Sequence, residues 1–240
     1  MTNFTIAIAG VSVGITAVHE STRDYCQDYL TQNAPDFSVE TTQADIDRER
    51  QLSADEDILE GHAVRNHTDA ILETTAVYRK IVNRLIDYDI LLFHGSTVAV
   101  DGVAYLFTAK SGTGKSTHTK LWRKLFGDRA VMINDDKPLL KISKEGVLVC
   151  GTPWDGKHKL NTNCMVPLKA ICVLERGEEN HIRQISPSAA LPMLMQQSHR
   201  PGNVLKYMDL LDGLTKHVKF YNLHCNMEDE AAKIAYEGMQ

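Results

Sequence analysis

The sequence has no apolar run approaching the roughly 20 residues that cross a bilayer as a helix. Nor does a basic segment leading into an apolar stretch follow Met1-Thr2-Asn3-Phe4. A membrane span and a secretory leader are therefore not expected, and a membrane partner is not expected either. Positive charge is not in excess. The 26 Lys and Arg face 31 Asp and Glu, a net charge of -5, so the surface as a whole does not attract nucleic acid or anionic lipid. The five cysteines, Cys26, Cys150, Cys164, Cys172 and Cys225, form no close pair. Odd in number and scattered, they fit neither a disulfide framework nor a zinc knuckle, and they read as free thiols of a cytoplasmic protein. Fixed-period repeats, low-complexity tracts and Pro/Gly linkers are missing too. At 240 residues the chain suffices for one substantial core, or a core with a small appendage. A homo-oligomer is compatible with all of this.

What is present divides near residue 87. Strands are expected at 5–9 and 13–17 around Gly10, a short helix within 19–30, and a strand at 36–42. Residues 44–60 are rich in Asp, Glu and Arg without an apolar stripe, and read as a solvated loop or an exposed helix. Ile71, Thr75, Tyr78, Val82 and Leu85 then recur at helical spacing, joined by Leu72, Val77 and Ile81, which predicts an amphipathic helix from Thr68 to Ile86. Residues 1–87 are expected to be an α+β extension packed on a core of residues 88–240.

The core reads as β-rich. Residues 90–100 and 103–108 predict two strands joined by Asp101-Gly102, a dipeptide suited to the positive φ of a tight hairpin. Residues 115–126 predict a helix with Leu121, Trp122, Leu125 and Phe126 inward and Gly127 as its stop. A short buried strand follows at 130–134, a second hairpin at 139–143 and 146–150, and a strand at 168–175. Helices are expected at 188–197 and 204–216 and a strand at 218–224. A final helix is expected behind Asn226, with Glu228, Asp229 and Glu230 at its positive end.

The chemistry-bearing signal lies between the first hairpin and the helix after it. Ala109-Lys110-Ser111-Gly112-Thr113-Gly114-Lys115-Ser116 has the pattern G-x-x-x-x-G-K-[ST] with Ala in the first position, between an expected strand and an expected helix. Gly112 and Gly114 allow backbone N–H groups to converge on phosphate oxygens. Lys115 supplies charge for the outer phosphates, Ser116 a hydroxyl for Mg²⁺, and the helix its positive end. The plainer alternative is a glycine-rich turn that happens to precede a helix. About twenty residues on, the apolar run Val131-Met132-Ile133 ends in Asn134-Asp135-Asp136. Nucleotide sites place a carboxylate there to hold Mg²⁺, and a second one can accept a proton from an attacking hydroxyl. Alone, the same residues read as a polar turn before Pro138. A tight hairpin feeding the loop requires a sheet that is at least partly antiparallel, unlike the doubly wound ATPases and GTPases.

The run His94-Gly95, hairpin, Ser111-Gly112-Thr113-Gly114-Lys115-Ser116-Thr117 and Asp135-Asp136 resembles the catalytic core of HPr kinase/phosphorylase, itself related to phosphoenolpyruvate carboxykinase. The resemblance covers residues 88–144 well and extends more loosely to 236. It implies an α/β (α+β) fold: a P-loop core on a mixed, partly antiparallel sheet, with ATP and Mg²⁺ as cofactors. It also implies that Ser111 to Thr117 bind the nucleotide, Ser116 and Asp136 organise the metal, His94 lines the site and Asp135 accepts the proton. On residue type alone His94 reads equally as a strand-end histidine.

That enzyme's Glu-Ile-Arg-Gly segment has no counterpart; its place holds residues 151–158, Gly-Thr-Pro-Trp-Asp-Gly-Lys-His. This stretch is either a surface loop over a packed Trp154 or a cover for the phosphates in which Lys157 neutralises developing charge. Arg176 and Arg200 are weaker cationic candidates, and His118 is expected to be exposed. Residues 1–90 do not resemble the enzyme's amino-terminal domain. The expected activity is therefore an ATP-dependent kinase acting on a hydroxyl of a small molecule or peptide. The alternatives are a nucleotide-binding regulator without transfer and an HPr-type protein serine kinase.

Overall fold

Ala9 and Gly10, at φ 51° and 74°, turn strand β1 (Thr2–Ile8) back as β2 (Val11–Ala17) with Ile8 opposite Val11. After α1 (Glu20–Tyr25), β3 (Phe37–Glu40) adds in parallel to β2. Then come α2 (Gln43–Leu59) and α3 (Asp69–Leu85). The computed structural model describes residues 1–59 and 61–240; Glu60, the end of the charged segment 44–60, lies outside the described residues. The chain divides into two compact units, Met1–Arg84 and Leu85–Gln240.

The charged segment 44–59 is a helix although it lacks an apolar stripe. Its inner side is made of Ile46 and two paired carboxylates. Glu49 takes a two-pronged contact from Arg79, Nε at 2.5 Å and Nη2 at 2.9 Å, and Asp57 is gripped by Arg65 at 2.6 Å. Carboxylates buried this way need such partners to offset lost hydration. In α3, Glu73 is fully buried and ties the end of β2 and the start of α1 to the helix.

The second unit is a mixed nine-stranded sheet with helices on both faces. Its strands are β4 (Ile90–Leu92), β5 (Ser96–Val100), β6 (Val103–Thr108), β7 (Ala130–Asn134), β8 (Leu139–Ile142), β9 (Val147–Cys150), β10 (Met165–Arg176), β11 (His181–Ile185) and β12 (Lys219–Cys225). The order runs β4-β8-β9-β10-β6-β5-β7, with β12 on β10 and β11 on β12. Only the β10–β6 and β10–β12 pairs are parallel, so the expected mixed, partly antiparallel sheet is observed. Side chains alternate across it. Ala104, Leu106 and Phe220 pack with α5 (Pro187–Gln197) and α6 (Val204–His217). Tyr105, Phe107 and Tyr221 pack with Trp122 of α4 (Lys115–Phe126) and Ala235 of α7 (Asp229–Gly238).

Several expectations need correction. Residues 90–100 are two strands, broken at Phe93-His94-Gly95, where long-range backbone bonds replace the ladder: Phe93 N–H to Pro138 O, His94 N–H to Gln197 O, Gly95 N–H to Asp136 O. Strand β11 had not been expected. Leu125 is 44% exposed rather than inward. The N-cap of α7 is Glu228, and Asn226 accepts from the Glu228 N–H ahead of the helix. Among the described residues no helix is long and apolar enough to cross a membrane.

Candidate active site

Sheet order builds the site. Because β5 lies antiparallel between β6 and β7, its first residues meet the last residues of both neighbours. Ser96 pairs with Phe107 and Thr97 with Asn134. The chain entering β5 (His94, Gly95), the loop leaving β6 (109–114) and the turn leaving β7 (Asp135, Asp136) therefore emerge at one edge. Gly95 allows the first two to lie close: a Cβ there would stand 2.9 Å from Phe107 O. The Thr108 hydroxyl closes the junction by donating to His94 O at 2.9 Å.

In the glycine-rich loop, Gly112 and Gly114 take φ of 75° and 122°, values that side chains with a Cβ resist. Nothing lies within 4 Å of where a Cβ would stand on Gly112, so the outer side of its peptide is open. Lys115 Nζ reaches back to Ala109 O at 3.2 Å. Burial pushes its ammonium below the usual lysine value, with the Asp136 charge opposing that shift. Arg176 braces the loop from β10, donating from Nη2 to Gly112 O at 2.6 Å and from Nε to Thr113 O at 3.4 Å.

The acidic turn is held by Asn134, whose Oδ1 accepts the N–H groups of Asp136 and Lys137 at 2.9 and 2.6 Å. Its amide donates to Thr152. This side-chain turn aims the two carboxylates differently. Asp135 is 5% exposed, and the Ser96 hydroxyl donates to its Oδ1 at 2.6 Å. Ser96 has one hydrogen, so Thr119, 2.8 Å away, donates to Ser96 in turn. Asp136 is more open, with His94 Nε2 at 3.2 Å and Lys137 Nζ at 2.9 Å. Burial pushes the Asp136 carboxyl up, but the His94 hydrogen bond and the Lys137 charge outweigh it and bring it to about 2. At neutral pH it is an anion.

These groups border one cavity of about 420 Å³. His94, Ser111, Gly112, Gly114, Lys115, Ser116, Thr117, Asp135, Asp136 and Lys157 all line it, with His158. Of the residues expected to bind the nucleotide, hold the metal or act in catalysis, Thr113 alone is not in this wall; it borders two other cavities, as does the weaker candidate Arg176. Residues 151–155 are buried, Trp154 at 7% exposure. The turn Gly156–His158 then passes beside Asp136, close enough that a Cβ on Gly156 would meet Asp136 Cβ at 3.0 Å. Arg200 donates to Met195 O at 3.2 Å and lines none of these cavities. His118 is a correction: it is buried, not exposed. Sequence reading missed Ser96, Thr119, Asn134 and Lys137 as site-builders. Asn134 alone had a local signal, an Asn two residues ahead of the N–H it fixes.

Magnesium and a nucleotide suit this donor set. Among the described residues no cluster of three or more His, Cys, Asp or Glu side chains has metal-binding geometry. Mg²⁺ rarely uses such a cage; it is held by one or two carboxylates together with phosphate oxygens. Asp136 and the Ser116 hydroxyl on the same cavity offer that partial set.

The molecule is thus a two-unit α+β protein whose second unit gathers a glycine-rich loop, a lysine and two carboxylates around one cavity. Residues 60–230 match the family model described as SynChlorMet cassette protein ScmC, and the chain belongs to that family. Comparison with curated proteins finds no match. Among solved structures, the HPr(Ser) kinase/phosphatase from Coxiella burnetii is similar over 52% of this chain and 88% of that one. The identity is 12% and the TM-score 0.30, a likeness that bears on neither substrate nor mechanism.

Proposed function

We propose that the second unit is a Mg-ATP-dependent phosphotransferase that moves the γ-phosphoryl group to a hydroxyl of a small molecule or peptide. The observation that carries this reading is the convergence of the glycine-rich loop after β6 and the carboxylate pair after β7 on one cavity across β5. Residues 111–117 hold the phosphates through backbone N–H groups and Lys115. Ser116 and Asp136 hold Mg²⁺, which when bound neutralises charge on the phosphate oxygens. Asp135, oriented by the Ser96 hydroxyl, takes the proton of the acceptor hydroxyl. The acceptor oxygen forms its bond to the γ-phosphorus as the bond to the ADP oxygen breaks. Lys157, in the wall of the same cavity, adds positive charge where the transferred group passes, and His94 lines the site beside Asp136.

Calorimetry with Mg-ATP on the wild type and on Lys115→Ala, with circular dichroism to show that both are folded, tests the reading. Binding by the wild type and its loss in the variant are expected. Equal affinities would remove the loop from the nucleotide site.

A further inference from the structure

Arg176 is the last residue of β10, and the sheet sets where it stands. β10 runs parallel to β6 with Val173 opposite Thr108, the last residue of β6. It continues past that pair to Arg176, alongside the loop that leaves β6. The ladder with β12 holds Arg176 opposite Cys225, and the next residue, Gly177, donates to Cys225 O at 3.0 Å. From this fixed root the guanidinium grips two successive carbonyls, Gly112 O from Nη2 at 2.6 Å and Thr113 O from Nε at 3.4 Å. Arg176 borders cavities of about 400 and 550 Å³ but not the acidic one, so it holds the loop from outside the site. In a trans peptide the N–H points opposite to the C=O. The peptide that carries Gly112 O has its N–H, that of Thr113, on Lys110 O at 3.2 Å. The next peptide carries Thr113 O and the Gly114 N–H, which is therefore turned away from Arg176. Gly114 lies in the wall of the acidic cavity and is the N-cap of α4, just ahead of N–H groups that have no partner within the helix. Each of the two gripped peptides adjoins a glycine with positive φ, Gly112 at 75° or Gly114 at 122°. Glycine tolerates both signs of φ, so the backbone itself does little to stop either peptide from flipping. A flip would aim a carbonyl oxygen where an N–H now points, and would replace attraction for a phosphate by repulsion.

We propose that Arg176 is a positioning residue of the phosphate loop: its guanidinium pins the Gly112 and Thr113 carbonyls outside the site, so that the loop presents N–H groups rather than carbonyl oxygens to a polyphosphate. The inference rests on the nucleotide reading above and gives Arg176 a role that needs no contact with the ligand. A planar guanidinium offers donors in a fixed fork and suits two neighbouring carbonyls, whereas a lysine ammonium is a mobile point charge.

Two measurements test this together on the wild type, Arg176→Met, which keeps an unbranched stem without donors, and Arg176→Lys, which keeps the charge. NMR of ¹⁵N-glycine-labelled protein without ligand reads the loop, and calorimetry with Mg-ATP and Mg-tripolyphosphate reads the site. The Gly114 amide resonance should be single and sharp in the wild type. In Arg176→Met it should broaden or double as two peptide orientations interchange, with Gly127 and Gly146 unchanged as controls. Arg176→Met should bind both ligands about tenfold more weakly, the size of one charge-assisted hydrogen bond, and Arg176→Lys should recover only part of that loss. An unaltered Gly114 resonance or full affinity in Arg176→Met overturns the proposal. Full recovery by Arg176→Lys overturns it too, because charge alone then suffices, as does a loss confined to ATP, which would place Arg176 at the nucleoside. All of these outcomes leave the phosphate loop itself in place. Failure of both ligands to bind the wild type overturns the nucleotide reading and this proposal with it. If Arg176→Met does not fold, the Gly114 resonance and the two affinities of Arg176→Lys decide.

Discussion

Replacing Glu73 by Gln in the first unit removes a charge while keeping the shape of a fully buried side chain. Glu73 Oε1 accepts from the Val18 N–H and the Thr41 hydroxyl, both at 2.6 Å. Its Oε2 accepts from the His19 N–H at 2.9 Å and the Thr22 hydroxyl at 2.8 Å. Gln retains one of these oxygens and turns an NH₂ donor toward the other pair. The hydroxyl in that pair can rotate to accept; the backbone N–H cannot, and is stranded in the interior. Losing one charge-assisted bond (about 1.5–3 kcal/mol) and orphaning one buried donor (about 1–3 kcal/mol) overlap in part, so the expected cost is about 2–4 kcal/mol. Burial pushes the Glu73 carboxyl up, but its four bonds outweigh that and hold it below the ordinary glutamate value. A depressed folded-state pKa gives stability that is complete above the unfolded value, about 4.3. That stability is lost as pH falls through the folded value. The gap between Glu and Gln is therefore full at pH 7 and closes on acidification below about pH 4. Urea-dependent hydrogen exchange of peptides spanning residues 11–41 reads the first unit. Tryptophan fluorescence reads the second as a control, since Trp122 and Trp154 both lie there. A gap below about 0.5 kcal/mol at pH 7, within the usual range for inert surface changes, or one that widens in acid, would refute the reasoning.

Further outcomes are expected in the second unit. Asp135→Asn should keep Mg-ATP affinity within a few-fold by calorimetry and lower phosphoryl transfer roughly 10²–10⁴-fold; that pattern in Asp136→Asn instead would reverse the two roles. Ser96→Ala should cost about 1–2 kcal/mol in urea unfolding, as it removes a buried hydroxyl bonded to a carboxylate, and should slow transfer without weakening nucleotide binding. Gly95→Ala should destabilise by about 1–3 kcal/mol, because its Cβ would stand 2.9 Å from the Phe107 carbonyl. Displacing His94 from Asp136 in this way should also lower transfer more than Mg-ATP binding.

Local sequence signals located the parts of the site but not their supports. The Asp101-Gly102 turn was legible because both residues need positive φ, observed at 52° and 80°. The loop and α4 were legible because glycines, Lys115 and the helix stop at Gly127 follow one another along the chain. The break at His94-Gly95 was not, because the runs on either side of it, Ile90 to Phe93 and Thr97 to Val100, both favour strand, and the bonds that stabilise it come from Asp136, Pro138 and Gln197. The alternation of β11 is weak, with His181, Arg183 and Gln184 exposed, and its pairing with β12 supplies what the pattern lacks. His118 lies on the side of α4 that also carries Trp122, yet histidine type alone did not separate a buried ring from an exposed one. Helix α2 is not legible as a helix because its buried positions, apart from Ile46, are filled by ion-paired carboxylates rather than an apolar stripe.

The most direct test of phosphotransfer follows the γ-phosphate itself. Wild type, Lys115→Ala and Asp135→Asn are incubated with Mg²⁺ and γ-labelled ATP in the presence of a metabolite pool, a peptide pool or purified HPr. A labelled small molecule or peptide is expected with the wild type, and neither variant should give it at a comparable rate. Label that stays in ATP or appears only as inorganic phosphate with every pool would contradict phosphotransfer, and efficient labelling of HPr with no small labelled product would contradict the proposed acceptor class.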